Sequence, residues 1–153
     1  MSTLAFPGNW IYILITSSNY TRCKIGYTRG NVLSRYRHLL TADPGLSIHV
    51  AYHIPEHFGE ISKIEAECHR AFQEKRMKNI HGGQTEWFNM DANIAEYLID
   101  SMLNEICGQE PYLYSNQVNE LCKLYQDDIL MKFNPKPYED PFCQFIMNTL
   151  NNN

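Results

Sequence analysis

Apolar and polar positions divide the first half of the chain into short runs with two different periods. Asn9 to Thr16 reads Asn-Trp-Ile-Tyr-Ile-Leu-Ile-Thr, a β-branched and aromatic run that predicts a strand. Ser17 to Tyr20 supplies turn chemistry, and Thr21 to Tyr27 predicts a second strand, so the two form an antiparallel hairpin. Gly30-Asn31 ends that pattern. Val32, Leu33, Tyr36, Leu39 and Leu40 then recur at helical spacing until Asp43-Pro44-Gly45 stops them. Leu46 to Ile54 alternates as a third strand. After Pro55 a long helix is expected from about Glu56 to Lys78, with Ile61, Ile64, Cys68, Ala71 and Phe72 as its apolar stripe. Asn79 to Thr85 contains Gly82-Gly83 and reads as a loop, and Glu86 to Met90 as a short fourth strand. Asp91 is placed to cap a helix through Ile106, with Ile94, Tyr97, Leu98, Met102 and Leu103 inward and Gly108 after its end. A last helix is expected from Ser115 to Phe133. Pro135, Pro137 and Pro141 make the rest irregular, apart from a turn near Phe142 to Met147.

The order β-β-α-β-α-β-α-α predicts an α+β fold, a small and mostly antiparallel sheet flanked by helices, with a C-terminal helical extension. We place the first domain at residues 1–95 and the extension at 96–153.

Composition changes this picture little. The hydrophobic share of 44% and charged share of 20% are ordinary for a soluble domain. No apolar run approaches the roughly 20 residues that span a bilayer, and the first residues lack the features of a signal peptide. An intracellular protein is expected, cytoplasmic, or nuclear in a eukaryotic host or its virus, without a membrane partner. Five widely spaced cysteines with no Cys-x-x-Cys fit reduced thiols.

Charge adds more. The net charge is −4, but residues 1–42 carry Arg22, Lys24, Arg29, Arg35 and Arg37 and no acid. Residues 1–90 sum to +3, ten basic against seven acidic, and residues 91–153 to −7, three against ten. A basic half can bind a polyanion although the whole is acidic.

Candidate chemistry gathers in that half. Glu65 and His69, at i and i+4, fall beside the helix's apolar stripe, with Arg76 in line. The hairpin offers Tyr12 and Lys24, each bracketed by apolar residues. Gly26 stands where strands avoid glycine, which points to a close approach of another backbone or a ligand. Arg35 lies beside the stripe of the next helix. A phenol, an ammonium, a guanidinium and a carboxylate together suit phosphodiester hydrolysis. The carboxylate can hold a hard divalent ion, the guanidinium can clamp phosphate oxygens, and the phenol can take a proton. The plainer alternatives are a solvated helix flank for Glu65 and His69 and a core position for Tyr12. A zinc site from Cys68, His69, His81 and Cys107 matches no common ligand spacing.

Trp10-Ile11-Tyr12, Lys24-Ile25-Gly26 and the following Arg35 resemble the signatures of the GIY-YIG nuclease family. Ile64 to Phe72 (Ile-Glu-Ala-Glu-Cys-His-Arg-Ala-Phe) and Glu86-Trp87-Phe88 resemble a subfamily common in phage and viral genomes. The resemblance implies that residues 1–95 form a nuclease domain. It implies that Tyr12 is the general base or its assistant, that Lys24 contacts the nucleophile or phosphate in place of a second tyrosine, and that Arg35 binds the scissile phosphate. Glu65 would hold one Mg²⁺ or Mn²⁺ ion, Gly26 would allow close packing, and Glu86 would support the site. Leu39 stands where many relatives carry His or Tyr, with His38 and His69 as substitutes. Arg22, Arg29 and Arg37 would join Arg35 in binding DNA.

Two readings follow. One is a metal-dependent DNA endonuclease leaving 5′-phosphate and 3′-hydroxyl ends. The other is a catalytically inactive DNA-binding or protein-interaction module on the same fold. The C-terminal helices fit a packing cap, a homodimer surface or a protein-partner surface equally well.

Overall fold

Trp10–Thr16 forms β1, the most buried strand of the sheet, and pairs antiparallel with β2 (Asn19–Thr28) on one side and β3 (Leu46–His53) on the other. The computed structural model describes residues 9–111, 120–133 and 149. Among these the remaining elements are α1 (Val32–Leu40), α2 (Ile61–Ala71), β4 (Arg76–Lys78), β5 (Gln84–Phe88), α3 (Ala92–Cys107), β6 (Cys122–Leu124) and α4 (Gln126–Phe133). The strands form one sheet in the order β4-β5-β2-β1-β3-β6, antiparallel throughout. The fold is therefore α+β, a six-stranded antiparallel sheet flanked by helices, as the hydrophobic pattern predicts. None of its described helices is long and apolar enough to cross a membrane.

Strand alternation sends side chains to two cores. Ile11, Ile13, Cys23, Ile25, Val50 and Tyr52 pack with Ile61, Ile64 and Cys68 of α2 and Ala95, Ile99 and Leu103 of α3. Trp10, Tyr12, Leu14, Ile48 and Ala51 pack with Val32 and Leu33 of α1 and Ile129 of α4. Caps mark two helix starts. Asn31 Oδ1 accepts from the Leu33 and Ser34 amides, and Asp91 Oδ1 accepts from Asn93 N at 2.7 Å.

Three expectations are corrected. The single helix over Glu56 to Lys78 is two short 3-10 turns, an eleven-residue helix and a strand. Gly59, at φ +138°, separates the first turn from α2, and Arg76–Lys78 leaves helical geometry to pair with β5. In α3 the inward stripe is Ala92, Ala95, Ile99 and Leu103, with Leu98 and Met102 half-buried. Ile94 and Tyr97 are 54% and 71% exposed. Alanines let the helix approach the sheet closely, and that approach turns the larger side chains outward. Residues 122–124 are a strand on β3, not part of a helix; helix begins at Gln126. Residues 115–119, the turn near Phe142 to Met147 and Cys143 lie outside the described residues. Cys23, Cys68, Cys107 and Cys122 are free thiols.

A polar network fastens β6 to α3. Glu96 accepts from Lys123 Nζ at 2.8 Å and Tyr125 Oη at 2.5 Å and lies 2.8 Å from His49 Nε2. Asp100 accepts from Lys123 Nζ and from Tyr52 Oη, both at 2.7 Å.

Candidate active site

Tyr12 stands opposite Gly26 in the β1–β2 ladder, and its ring lies across that glycine. A β-carbon at position 26 would fall 2.5 Å from the Tyr12 hydroxyl oxygen and 2.7 Å from Cζ. Gly26 is indeed crowded, but by the phenol of the paired strand and not by the second backbone or ligand expected there. Arg35, on α1, donates from Nε to the Tyr12 oxygen at 3.4 Å. Burial pushes the phenol above its usual range. The Arg35 hydrogen bond opposes this, and the charges of Glu86 and Glu65 add to the rise.

The second half of the site arises from an incomplete ladder. Strand β5 pairs with β2 only at Cys23 and Lys24. One residue further on, the His69 ring of α2 takes the place of a strand, with Nε2 2.9 Å from the Ile25 carbonyl oxygen. A carbonyl only accepts, so Nε2 carries the proton. Burial pulls His69 below its usual range, so the ring is neutral and Nδ1 is an acceptor. Glu65, one helical turn earlier, presents Oε1 to that acceptor at 3.9 Å, too long for a hydrogen bond. Its other oxygen, Oε2, is buried and has no hydrogen-bond partner. Burial and the charge of Glu86 raise the Glu65 carboxyl to about 7, against a smaller pull from Arg76.

Lys24, on β2, places Nζ 3.8 Å from Glu86 Oε2 on β5. The cation at the phenol is Arg35, not Lys24. Arg76, expected beside His69 on one helix, acts from β4 instead. Its guanidinium is tied to Thr85 O and Gln84 Oε1, while its charge still reaches Glu65 and His69.

The structure thus brings Tyr12, Gly26 and Arg35 into contact and Glu65 and Glu86 into electrostatic reach of the phenol, with His69 beside Glu65 and Lys24 beside Glu86. The grouping is enclosed: Tyr12 is 2% and Glu65 8% exposed. His38 and Arg37 are exposed on α1, with no hydrogen bond or ion pair to this group among the described residues. Arg29 is paired with Glu60, and Arg22 lies over the Trp87 ring at 4.8 Å.

Glu65 Oε2 is the group here that could take a cation: it is an orphaned carboxylate oxygen, whereas the His69 ring is neutral and Glu86 is paired with Lys24. Among the described residues no three His, Cys, Asp or Glu side chains converge on a common point.

A family model described as the T5orf172 domain matches residues 9–107. No curated protein and no solved structure matches the chain. The resemblance to the GIY-YIG family is corrected by this finding, because the matching family is a different nuclease-like one and no GIY-YIG model matches. The two signatures behind that resemblance, Trp10-Ile11-Tyr12 and Lys24-Ile25-Gly26, are three residues long each, and apolar strand residues around a tyrosine or a glycine recur in many sheets.

Proposed function

The chain belongs to the T5orf172 domain family, which is nuclease-like and associated with DNA binding, and from that premise we propose that it is a DNA endonuclease. It hydrolyses a phosphodiester bond to leave a 5′-phosphate and a 3′-hydroxyl, with Tyr12, Arg35 and Glu65 as the acting groups. The observation that carries the reading is the buried, unpartnered Glu65 oxygen within electrostatic reach of a phenol held by an arginine. A packed core has no use for an orphaned carboxylate, which costs stability unless a cation or proton meets it.

Glu65, supported by Glu86, would hold a single Mg²⁺ or Mn²⁺. When bound, that ion supplies positive charge against which a phosphate can be attacked. Arg35 binds a phosphate oxygen and orients the Tyr12 hydroxyl. Tyr12, as phenolate, takes the proton of the attacking water. Lys24 neutralises Glu86 and keeps its negative charge from repelling the substrate. His69 props the Ile25 carbonyl and fixes the face of α2 that carries Glu65. Nicking of supercoiled plasmid with Mg²⁺, and its absence in EDTA, tests the reading. A purified chain that never nicks any DNA form with Mg²⁺ or Mn²⁺ overturns it.

The raised phenol makes a second test. A tyrosine above its ordinary value near 10 is phenolate in fewer than about one molecule in a thousand at pH 7. The single-turnover rate should therefore climb about tenfold per pH unit from neutral toward 10, without a plateau. Tyr12→Phe should lower cleavage by about 10²-fold or more and flatten that slope, while DNA affinity stays near wild type. A near-normal rate in Tyr12→Phe would show that the phenol only packs.

A further inference from the structure

Residues 75–85 read Lys-Arg-Met-Lys-Asn-Ile-His-Gly-Gly-Gln-Thr and contain no acid, although Glu74 and Glu86 flank them. The segment is a hairpin of β4 and β5 at the edge of the sheet. Its turn is stiff. Asn79 N donates to Gly83 O at 2.7 Å and Gly82 N to Asn79 O at 3.0 Å. Asn79 Oδ1 accepts from the amides of His81 and Gly83, both at 2.9 Å. Across the strands Arg76 Nε donates to Thr85 O, and Thr85 Oγ1 to Met77 O. At the tip of this frame Ile80 is 92% exposed, the most exposed large apolar side chain among the described residues. Its side chain supports no core. The same hairpin carries Glu86, midway along β5, so it is joined to the candidate active site through the Lys24–Glu86 pair.

We propose that this hairpin is the DNA-contacting finger of the protein. Lys75, Lys78 and His81 meet phosphates along its flanks, and Ile80 enters a groove and wedges against a base step. The charge fits a polyanion, and a rigid turn offers an apolar side chain without an ordering cost on binding. A lone branched apolar residue among cations is also the equipment of side chains that unstack a base step. The inference rests on the reading that DNA is the substrate, and goes beyond it by assigning the contact surface.

The test measures binding without cleavage, by anisotropy of a labelled duplex with the full chain in EDTA over a salt series. Lys78→Ala should lower the slope of log affinity against log salt by about 0.9, one phosphate contact. Ile80→Ser should weaken binding about tenfold or more at every salt concentration with the slope unchanged, as for loss of one buried isoleucine. Its melting temperature should match wild type, because nothing in the fold rests on Ile80. Wild-type affinity in both variants overturns the proposal, and so does failure of the wild-type chain to bind DNA. So does a change in oligomeric state of Ile80→Ser by sedimentation, which would make the tip a self-association surface. Hairpin-dependent binding by a chain that does not nick with Mg²⁺ would leave this inference standing and remove the nuclease reading alone.

Discussion

Glu65→Gln is expected to abolish metal-dependent nicking and, in the same tube, to make the metal-free protein more stable at pH 8. The two effects have one cause. The folded chain raises this carboxyl from 4.5 to about 7, chiefly by burial. Between those values the folded state holds a proton that the unfolded state has released, so stability falls as pH rises through the window and stays low above it. The loss is on the order of 3 kcal/mol if the unfolded value is ordinary. Glutamine has the same shape and no titration, so its stability should be flat there, and the variant should exceed wild type above neutrality. A single neutral amide cannot replace the one charged protein ligand of such an ion. Chemical denaturation at pH 5 and pH 8 in EDTA, repeated with Mg²⁺, reads all of this. Added Mg²⁺ should stabilise wild type and leave the variant unmoved. Wild-type nicking by the variant, or a wild type indifferent to both pH and Mg²⁺, would remove Glu65 from the site.

Gly26→Ala carries the second large effect. Its new methyl would sit 2.5 to 2.8 Å from the Tyr12 hydroxyl oxygen and two ring carbons, inside van der Waals contact. An open site would let the ring end swing aside, but this ring is buried in one cluster with Leu14, Val32 and Ala51. We expect a loss of about 1–3 kcal/mol, typical of overpacking. Cleavage should fall by at least about 10²-fold, because the hydroxyl leaves Arg35. A cycle with Tyr12→Ala isolates the contact. Alanine at 26 should cost far less stability when position 12 is already truncated, while activity stays lost in the double variant. Equal cost in both backgrounds would mean that the strand backbone, not the phenol, requires the glycine.

Much of this was legible in the chain, because local chemistry decides it. Alternation gave β1, β2 and β3, and Asp91 sat where a cap belongs. Gly26 was out of place in a strand, but that signal pointed to a backbone or a ligand, and only the folded sheet shows the Tyr12 ring there. What stayed hidden depends on partners distant in sequence. Gln73 to Lys78 has nothing to end a helix, and only pairing with β5 makes Arg76–Lys78 a strand. Cys122–Leu124 would suit a helix equally well until β3 takes it as a neighbour. In α3 a reading by residue size favoured Ile94 and Tyr97, whereas close helix–sheet contact selects Ala92 and Ala95. For the site, residue types pointed to Tyr12, Arg35 and Glu65, but not to the pairing of Lys24 with Glu86. The enclosure of the phenol depends on how two layers meet across β2, which no spacing records.

The seam between β3 and β6 bears on how the protein can be cut. The family match ends at Cys107, which makes that residue an inviting place to trim an expression fragment. Trimming there removes the strand that pairs with Ala51, Tyr52 and His53, and with it Lys123 and Tyr125. Glu96 and Asp100 would lose their cation, and the bare amides and carbonyls of β3 would become a template for the same strand of another copy. A shortened fragment should thus drift toward aggregates where the longer chain stays dispersed.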